Sequence, residues 1–247
     1  MKILAMDASG LVASVAVTED NRLIGEYTTN DKKTHSQTLL PMLDQLAGMI
    51  DLDLKTLDAI AVTSGPGSFT GLRIGAATVK GLGQALDIPL IPVPTLETLA
   101  YNCWGTDRLI CPLMDARRKQ AYTGLYQSAD RGLTVLMDQA AMSIEAILER
   151  VNDRKRPVVF LGDGVPVFRQ TIEGLCRVDY HFAPLHMAVQ RASSLAALAY
   201  VYAKKGEFVA AEDFRPNYLR LSQAERERRE KLAAEKRGSD VPRRRDP

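Results

Sequence analysis

The order of predicted strands and helices constrains the fold most strongly, because the same order occurs twice. In the first hundred residues, three strands joined by short turns are followed by a helix, a strand, a second helix and a strand. The predicted elements are the strands Lys2–Asp7, Leu11–Thr18 and Arg22–Thr28, the helix Ser36–Ile50, the strand Asp58–Thr63, the helix Gly71–Leu86 and the strand Pro89–Val93. Alternating strands and helices place the chain in the α/β class.

The second half repeats this order more weakly. The predicted elements are the strands Leu109–Asp115, Ala121–Gln127 and Leu133–Met137, a helix Ser143–Val151 capped by Ser143, the strand Pro157–Leu161, the helix Gly164–Gly174 and a late helix Ala192–Lys204 that stops near Gly206. The repeat predicts two lobes, residues 1–104 and 105–221, each β-β-β-α-β-α. We expect the last helix to pack back between the lobes.

Charge and composition argue against a membrane protein or a disulfide framework. The net charge is +2, no run of about 18 apolar residues occurs, and the first residues lack a signal-peptide pattern. The three cysteines are scattered. Residues 222–247 hold nine Lys/Arg and six Asp/Glu and few apolar residues, which is typical of a solvated, disordered tail. We therefore expect a cytoplasmic protein that has no membrane contact.

Two helices of the first lobe carry more apolar surface than one buried face requires. In residues 36–50 the apolar arc covers about 180°, whereas burial of one face needs about 100°. We expect Pro41 to lie in the first turn, with the helix starting near Thr38. In residues 71–86, small and apolar residues cover two opposite sides. Either the rest of the chain buries these second faces, or another subunit meets them.

The residues of nucleophilic and metal catalysis are missing from the pattern. His35, His181 and His186 do not have metal-ligand spacing, and neither GxSxG nor GxxxxGK[ST] is present. We predict no catalytic residue and no metal ligand.

A glycine-rich loop from Ser64 to Gly75 lies between a strand and a helix, and Asp7 ends the first strand. The loop is either a plain turn capped by Ser68 or Thr70, or an anion site at a helix N-terminus. The candidate nucleotide or phosphate contacts are Asp7, Ser9, Gly65, Gly67 and Ser68.

Seven strings, in order along residues 1 to about 220, resemble the TsaB family, formerly called YeaZ. They are ILAMDAS (Ile3–Ser9), HSQTLLP (His35–Pro41), GPGSFTGLRIG (Gly65–Gly75), KGL (Lys80–Leu82), DARR (Asp115–Arg118), FLGDG (Phe160–Gly164) and RPNYLR (Arg215–Arg220). The resemblance implies a two-lobed actin-like ATPase (ASKHA, sugar kinase and Hsp70) fold. It also implies a non-catalytic role in making N6-threonylcarbamoyladenosine at position 37 of tRNAs that read ANN codons.

The resemblance implies the partners too. The catalytic paralogue TsaD would bind the two helices of the first lobe, the ATPase TsaE would join them, and tRNA would be reached only through the complex. Without TsaD the same faces would form a homodimer. The expected interface residues are His35, Ser36, Leu39, Leu43, Leu46, Phe69, Leu72, Arg73, Ile74, Ala76, Ala77 and Lys80.

The chain departs from these relatives at three positions. Thr95 and Leu99 stand where TsaD carries two metal-binding histidines, and Ala8 stands where a threonine is common. We therefore expect no cofactor of its own and place any ATP or ADP at the junction with TsaD. Two alternatives stay open: a stand-alone small-molecule kinase or peptidase of the same fold, and a homodimeric binding module outside tRNA modification.

Overall fold

A computed structural model describes residues 1–20, 22–31 and 33–220. The first half forms a five-stranded sheet of β1 (Lys2–Asp7), β2 (Ala13–Glu19), β3 (Arg22–Thr29), β4 (Ala59–Thr63) and β5 (Leu90–Val93), in the order β3-β2-β1-β4-β5. The first three strands are antiparallel, and β1, β4 and β5 run parallel. Parallel strands covered on both faces consist of unbroken apolar runs, and Ile3 to Met6 are fully buried.

The second sheet has the same plan. It consists of β6 (Leu109–Asp115), β7 (Gln120–Ser128), β8 (Leu133–Ser143), β9 (Val158–Leu161) and β10 (Tyr180–Phe182), and read from β8 its order is β8-β7-β6-β9-β10. Here too the first three strands are antiparallel and β6, β9 and β10 are parallel. The predicted duplication is therefore confirmed.

Each sheet carries two long helices on its outer face. These are α1 (His35–Met49) and α2 (Phe69–Leu86) on the first sheet, and α4 (Ile144–Asp153) and α5 (Gly164–Leu175) on the second. Two single turns of 3-10 helix, Leu54–Thr56 and Leu185–Met187, lie in connections. None of the described helices is both long enough and apolar enough to cross a membrane.

The inner faces are covered by helices that the two lobes exchange. The short α3 (Thr95–Tyr101) follows the first sheet but packs Leu96 and Leu99 on the second. The late α6 (Ala192–Lys204) follows the second sheet but packs on the first. Neither half of the chain therefore builds a complete lobe without the other.

First-lobe side chains cap the beginning of α6. Ser14 Oγ accepts from the Ala192 N–H at 2.9 Å, and the Glu26 carboxylate accepts from the N–H and hydroxyl of Ser193 at 3.0 and 2.8 Å. Glu26 also pairs with Arg191. Burial alone would raise the pKa of Glu26, but the hydrogen bonds from Arg191 and Ser193 outweigh it and lower the pKa below its usual value. This ionised cap fixes the crossing helix to the sheet that it covers.

Residues 207–220, which we call the strap, run from the first lobe to the second. Val209 pairs with Leu90 at the sheet edge, and Phe214 enters the core of the first lobe. Beyond it, the Asn217 N–H donates to the Ser64 carbonyl at 2.6 Å, and Arg220 donates to the Ala116 carbonyl. The strap lies after the predicted division at residue 104 yet belongs in part to the first lobe. The predicted tail, 222–247, lies outside the described residues.

One local prediction was wrong, and two short elements were missed. Helix α1 begins at His35, so Pro41 lies in its interior rather than its first turn. Pro41 has no N–H, so the Gln37 carbonyl lacks its helical hydrogen bond. Both residues are exposed, so water can bond this carbonyl instead. Helix α3 and strand β10 were not predicted, because they are short and carry no clear period.

Candidate functional site

A cleft of about 480 Å³ lies between the lobes, where the parallel strands β1, β4, β6 and β9 end. Its walls are the turn after β1, the glycine-rich loop after β4, the β6–β7 turn and the end of the strap. In α/β sheets, ligands bind outside the carboxyl ends of the strands. This cleft is therefore the first place to look for a small-molecule site.

Packing against neighbouring backbone explains the glycines of the glycine-rich loop. A Cβ on Gly65 would overlap the Asn217 carbonyl, one on Gly67 the Ser9 carbonyl, and one on Gly71 the Ala8 carbonyl. Gly65 also has a φ of +111°, which glycine adopts without strain. The loop is therefore shaped by the chain segments that cross it.

Hydrogen bonds within the chain occupy the polar groups of the same loop. The Ser68 N–H donates to the Ser9 carbonyl at 2.7 Å. Ser68 Oγ accepts from the Gly71 N–H at 3.3 Å, so Ser68 caps α2 as predicted. The Gly65 N–H donates to Thr95 Oγ1 at 3.1 Å. Three N–H groups of the loop are therefore engaged within the chain.

Asp7 is fully buried beneath the cleft. Its Oδ1 accepts from the N–H and hydroxyl of Ser9, at 2.8 and 2.6 Å, and from the Thr63 hydroxyl at 3.1 Å. Its Oδ2 is buried without a partner among the described residues. Burial raises the pKa of Asp7, and the hydrogen bonds from Ser9 and Thr63 oppose the shift only in part.

The five predicted phosphate contacts therefore do not form a cradle. Ser9, Gly67 and Ser68 line the cleft, whereas Asp7 lies below it and Gly65 faces the strap. The prediction is wrong for Asp7 and Gly65, because backbone packing and burial determine their surroundings. The residues present do not fit the phosphates of a nucleotide held by this chain alone.

Thr95 and Leu99 have structural roles here. Thr95 is fully buried and accepts the Gly65 N–H, and Leu99 lies in the core beneath the second sheet. Among residues 1–20, 22–31 and 33–220, no three His, Cys, Asp or Glu side chains come together as a metal-ligating group.

The β6–β7 turn carries three consecutive cations, of which Arg117 and Arg118 line the cleft. Arg117, Arg118 and Lys119 have φ values of 63°, 54° and 59°. The Gln120 N–H donates to the Arg117 carbonyl at 3.1 Å and closes the turn. Such turns favour Asn-Gly at their two central positions, and other residues there cost about 1–3 kcal/mol each. The sequence instead places Arg118 and Lys119 at these positions.

An aromatic stack joins the strap to α2 beside the cleft. The rings of Phe69 and Tyr218 lie 4.5 Å apart, and the Arg73 guanidinium lies 4.1 Å from the Phe69 ring centroid. Lys80 donates to the Glu212 and Phe214 carbonyls at 2.9 and 3.4 Å. These contacts hold the strap against α2.

The structure corrects part of the predicted partner interface. Five of its members are buried in the core of the chain itself: Leu39, Leu43, Leu46, Leu72 and Ala76. These five residues form the inner face of each helix, which packs on the sheet. The sequence pattern did not separate this inner face from the outward apolar residues, because the two are adjacent around the helix. Ser36, Arg73 and Ala77 are exposed, and His35, Phe69, Ile74 and Lys80 are half-buried. His35 and Lys80 are also held by the chain itself, His35 through the Gly10 carbonyl at 2.8 Å.

The outward surface of α1 and α2, which we call the N-lobe helix face, carries little charge. Both helices lie wholly within the described residues, and of their exposed residues only Asp44 and Arg73 are charged. Leu40 and Met49 are 52% and 80% exposed. Within the described part of the chain, no atom lies within 4 Å of a Cβ built on Gly48 or Gly81. No contact among the described residues explains these two helix glycines.

Sequence reasoning missed several residues of the cleft and the helix face. The strap residues Asn217, Tyr218 and Arg220 had a signal in the RPNYLR string, but nothing in it indicated which loop it crosses. Leu40 and Met49 were visible only as the flanks of a wide apolar arc, and exposure alone separates them from the core.

The comparisons agree with this geometry. A family model described as TsaD, tRNA N6-adenosine threonylcarbamoyltransferase, matches residues 22–228. The tRNA threonylcarbamoyladenosine biosynthesis protein TsaB of Bacillus subtilis is 37% identical over 225 residues, covering 91% of this chain and 96% of that protein. The TsaB of Escherichia coli is 29% identical over 226 residues, covering 89% and 95%. The structure of YeaZ from Pseudomonas aeruginosa superposes with a TM-score of 0.76 at 29% identity, covering 88% and 99%.

The two sheets, their shared strand order and the cleft between them define a two-lobed protein of the actin-like ATPase class. Within that class, the chain belongs to the TsaB family, as the match to the Bacillus subtilis protein over nearly its whole length shows.

Proposed function

We propose that this chain is a non-catalytic subunit that binds and activates TsaD. The reaction is transfer of a threonylcarbamoyl group to N6 of adenosine 37 in tRNAs that read ANN codons. The observation that carries the proposal is the N-lobe helix face, which is exposed, nearly uncharged and rich in small residues.

The small residues of this face favour a helical partner. Gly48, Ala77, Gly81 and Ala85 are all exposed, and small residues let two helices approach closely. A glycine inside a helix costs about 1 kcal/mol relative to alanine. Gly81 repays that cost only when something packs closely against it, and nothing in the described chain does. The same face, pairing with itself, would form a homodimer when TsaD is absent.

The chemistry of the cleft supports the non-catalytic role. Thr95 and Leu99 cannot bind a metal as imidazoles do, and the Asp7 carboxylate lies below the cleft surface. Burial disfavours the reactive thiolates: it raises the pKa of Cys103 to about 11 and that of Cys111 to about 12, and it also raises the pKa of the half-buried Cys176. Among residues 1–20, 22–31 and 33–220, no hydrogen bond pairs a nucleophile with a base in the way that a peptidase reaction requires.

The proposal holds that a nucleotide binds only where TsaD completes the site. The hydrogen bonds that occupy Ser9 and Ser68 support this assignment. TsaE is the third subunit, and tRNA is engaged by the assembled complex. Measurable ATP turnover by the purified chain would favour the kinase alternative instead.

The test is to mix the chain with TsaD of the same organism and to measure mass by light scattering during size exclusion, with and without ATP. The proposal predicts a one-to-one heterodimer. Two unchanged peaks would contradict it.

A further inference from the structure

The β6–β7 turn contains two cations that the fold does not use. The Arg117 guanidinium lies 3.4 Å from the Asp115 carboxylate, so these two charged groups pair with each other. Arg118 and Lys119 are exposed, and within residues 1–20, 22–31 and 33–220 no carboxylate pairs with either one. The turn geometry favours Asn-Gly at these two positions. Folding therefore does not explain why the chain carries an arginine and a lysine there.

The structure holds this turn firmly in position. The Arg117 N–H donates to Asp115 Oδ1 at 2.8 Å, and the Ala116 N–H donates to the Gln120 carbonyl at 2.9 Å. Arg220, at the end of the strap, donates to the Ala116 carbonyl from the other side. The two free cations are thus presented on a fixed support: Arg118 lines the cleft beside Arg117, and Lys119 follows it in the turn.

Three acidic residues line the cleft, Asp31, Asp115 and Asp163, and among the described residues none of them forms a salt bridge with Arg118 or Lys119. Asp115 is paired with Arg117, and Asp163 is turned inward, where its carboxylate accepts from the Asp115 N–H at 3.2 Å. Burial raises the pKa of Asp163, and the hydrogen bond from the Asp115 N–H opposes the shift. A fixed pair of unpaired cations on an exposed turn suits a ligand with repeated negative charges along its length.

We propose that Arg118 and Lys119 bind the phosphate backbone of the tRNA, so that this chain contacts the RNA directly within the complex. The inference rests on the proposed function, because that function brings tRNA to the complex. Phosphate contacts position an RNA without reading its sequence, and lysine and arginine on a turn make such contacts without a shaped pocket. The turn would thus help to hold the tRNA in register while TsaD acts on it.

The test variant is Arg118→Asn/Lys119→Gly, which removes both charges and supplies the residues that the turn geometry favours. The matched control is Arg154→Asn/Lys155→Gly, at the end of α4. It removes the same charge, and Lys155 also has a positive φ, of 51°. Both variants should therefore fold, and thermal unfolding checks that they do.

Binding of fluorescently labelled, unmodified tRNA to the complex of this chain with TsaD is measured by anisotropy from 50 to 200 mM salt. Each lost phosphate contact reduces the salt slope by about 0.7–0.9. The test variant should therefore show a slope shallower by about 1.4–1.8, and a deficit in affinity about tenfold larger at 50 mM than at 200 mM. The control should match the wild type.

Three results would overturn the inference. They are an unchanged affinity in the test variant, an equal loss in both variants, or a loss of ATP binding in the test variant with tRNA binding intact. Failure of the proposed function looks different: the wild-type chain and TsaD would not associate in light scattering. In that case the same two variants are compared as isolated chains with tRNA, and the same results decide the inference.

Discussion

The two lobes share one topology, but their outer helices differ in chemistry. All four exposed residues of α4 are charged, namely Glu145, Glu149, Arg150 and Asp153, and on α5 Arg169 pairs with Glu173 at 3.4 Å. The N-lobe helix face, at the equivalent place on the other sheet, has only Asp44 and Arg73 as exposed charges, and α1 and α2 are described in full. Helix α5 also exposes Val167 and Leu175, at 59% and 44%, so the two pairs differ in charge rather than in exposed apolar side chains. Because the fold requirement is the same for both pairs, we attribute the low charge of the first pair to the protein partner proposed above.

The largest effect should come from a charge placed on the N-lobe helix face. Gly81→Glu should lower TsaD affinity about 100-fold or more, since an unpaired charge buried at an interface costs about 3–5 kcal/mol. Val167→Glu, at the exposed Val167 of α5, is the control and should leave affinity unchanged. Light scattering and isothermal titration calorimetry measure both. If both variants lowered TsaD affinity equally, the two helix pairs would not differ in partner binding.

Core truncation should affect both lobes alike. Leu43→Ala in α1 and Leu148→Ala in α4 remove side chains that are 4% and 1% exposed. Each should lower the free energy of unfolding by about 2–5 kcal/mol in urea denaturation. Under conditions in which both variants remain folded, their affinity for TsaD should stay within about threefold of wild type. If only Leu43→Ala weakened TsaD binding, Leu43 would contribute to the interface.

These two predictions also show how far the sequence determines the answer. The repeated element order and the Ser68 cap of α2 were predictable, because they depend on local patterns. The division of α1 between core and surface was not. Leu39 and Leu40 are adjacent in sequence, yet one is 1% and the other 52% exposed, and only the position of the sheet decides which is which. The packing of α3 and α6 on the sheet of the other lobe could not be predicted either, since an apolar helix does not specify the sheet that it covers.

A smaller effect should follow from Glu26→Gln, which weakens the cap that fixes α6 to the first lobe. The loss should be about 1.5–3 kcal/mol at pH 7, the usual range for hydrogen bonds to a charged group. The pKa of Glu26 is lowered in the folded state. Its contribution is therefore complete above the unfolded pKa of about 4.3 and is lost as pH falls through the lower folded value. Urea denaturation should show the free energies of unfolding of the two proteins converging as pH falls below the folded pKa of Glu26. A constant gap would contradict the ionised cap.

The smallest effect distinguishes two glycines of one helix. Gly81→Ala should stabilise α2 by up to about 1 kcal/mol, because Gly81 faces open space. Gly83→Ala should destabilise it, because a Cβ there would lie 3.0 Å from the Ala211 Cβ and 3.1 Å from Leu90. Thermal unfolding measures whether each variant is more or less stable than the wild type. The Gly81 variant should also bind TsaD more weakly despite its greater stability, and tighter binding would argue against close approach at this position.

The most direct test of the central claim is amide hydrogen exchange of the whole chain, with and without TsaD. Docking on the N-lobe helix face predicts slower exchange in α1 and α2 on adding TsaD, with α4 and α5 unchanged. Protection of α4 and α5, or of neither pair in a complex that demonstrably forms, would contradict the claim.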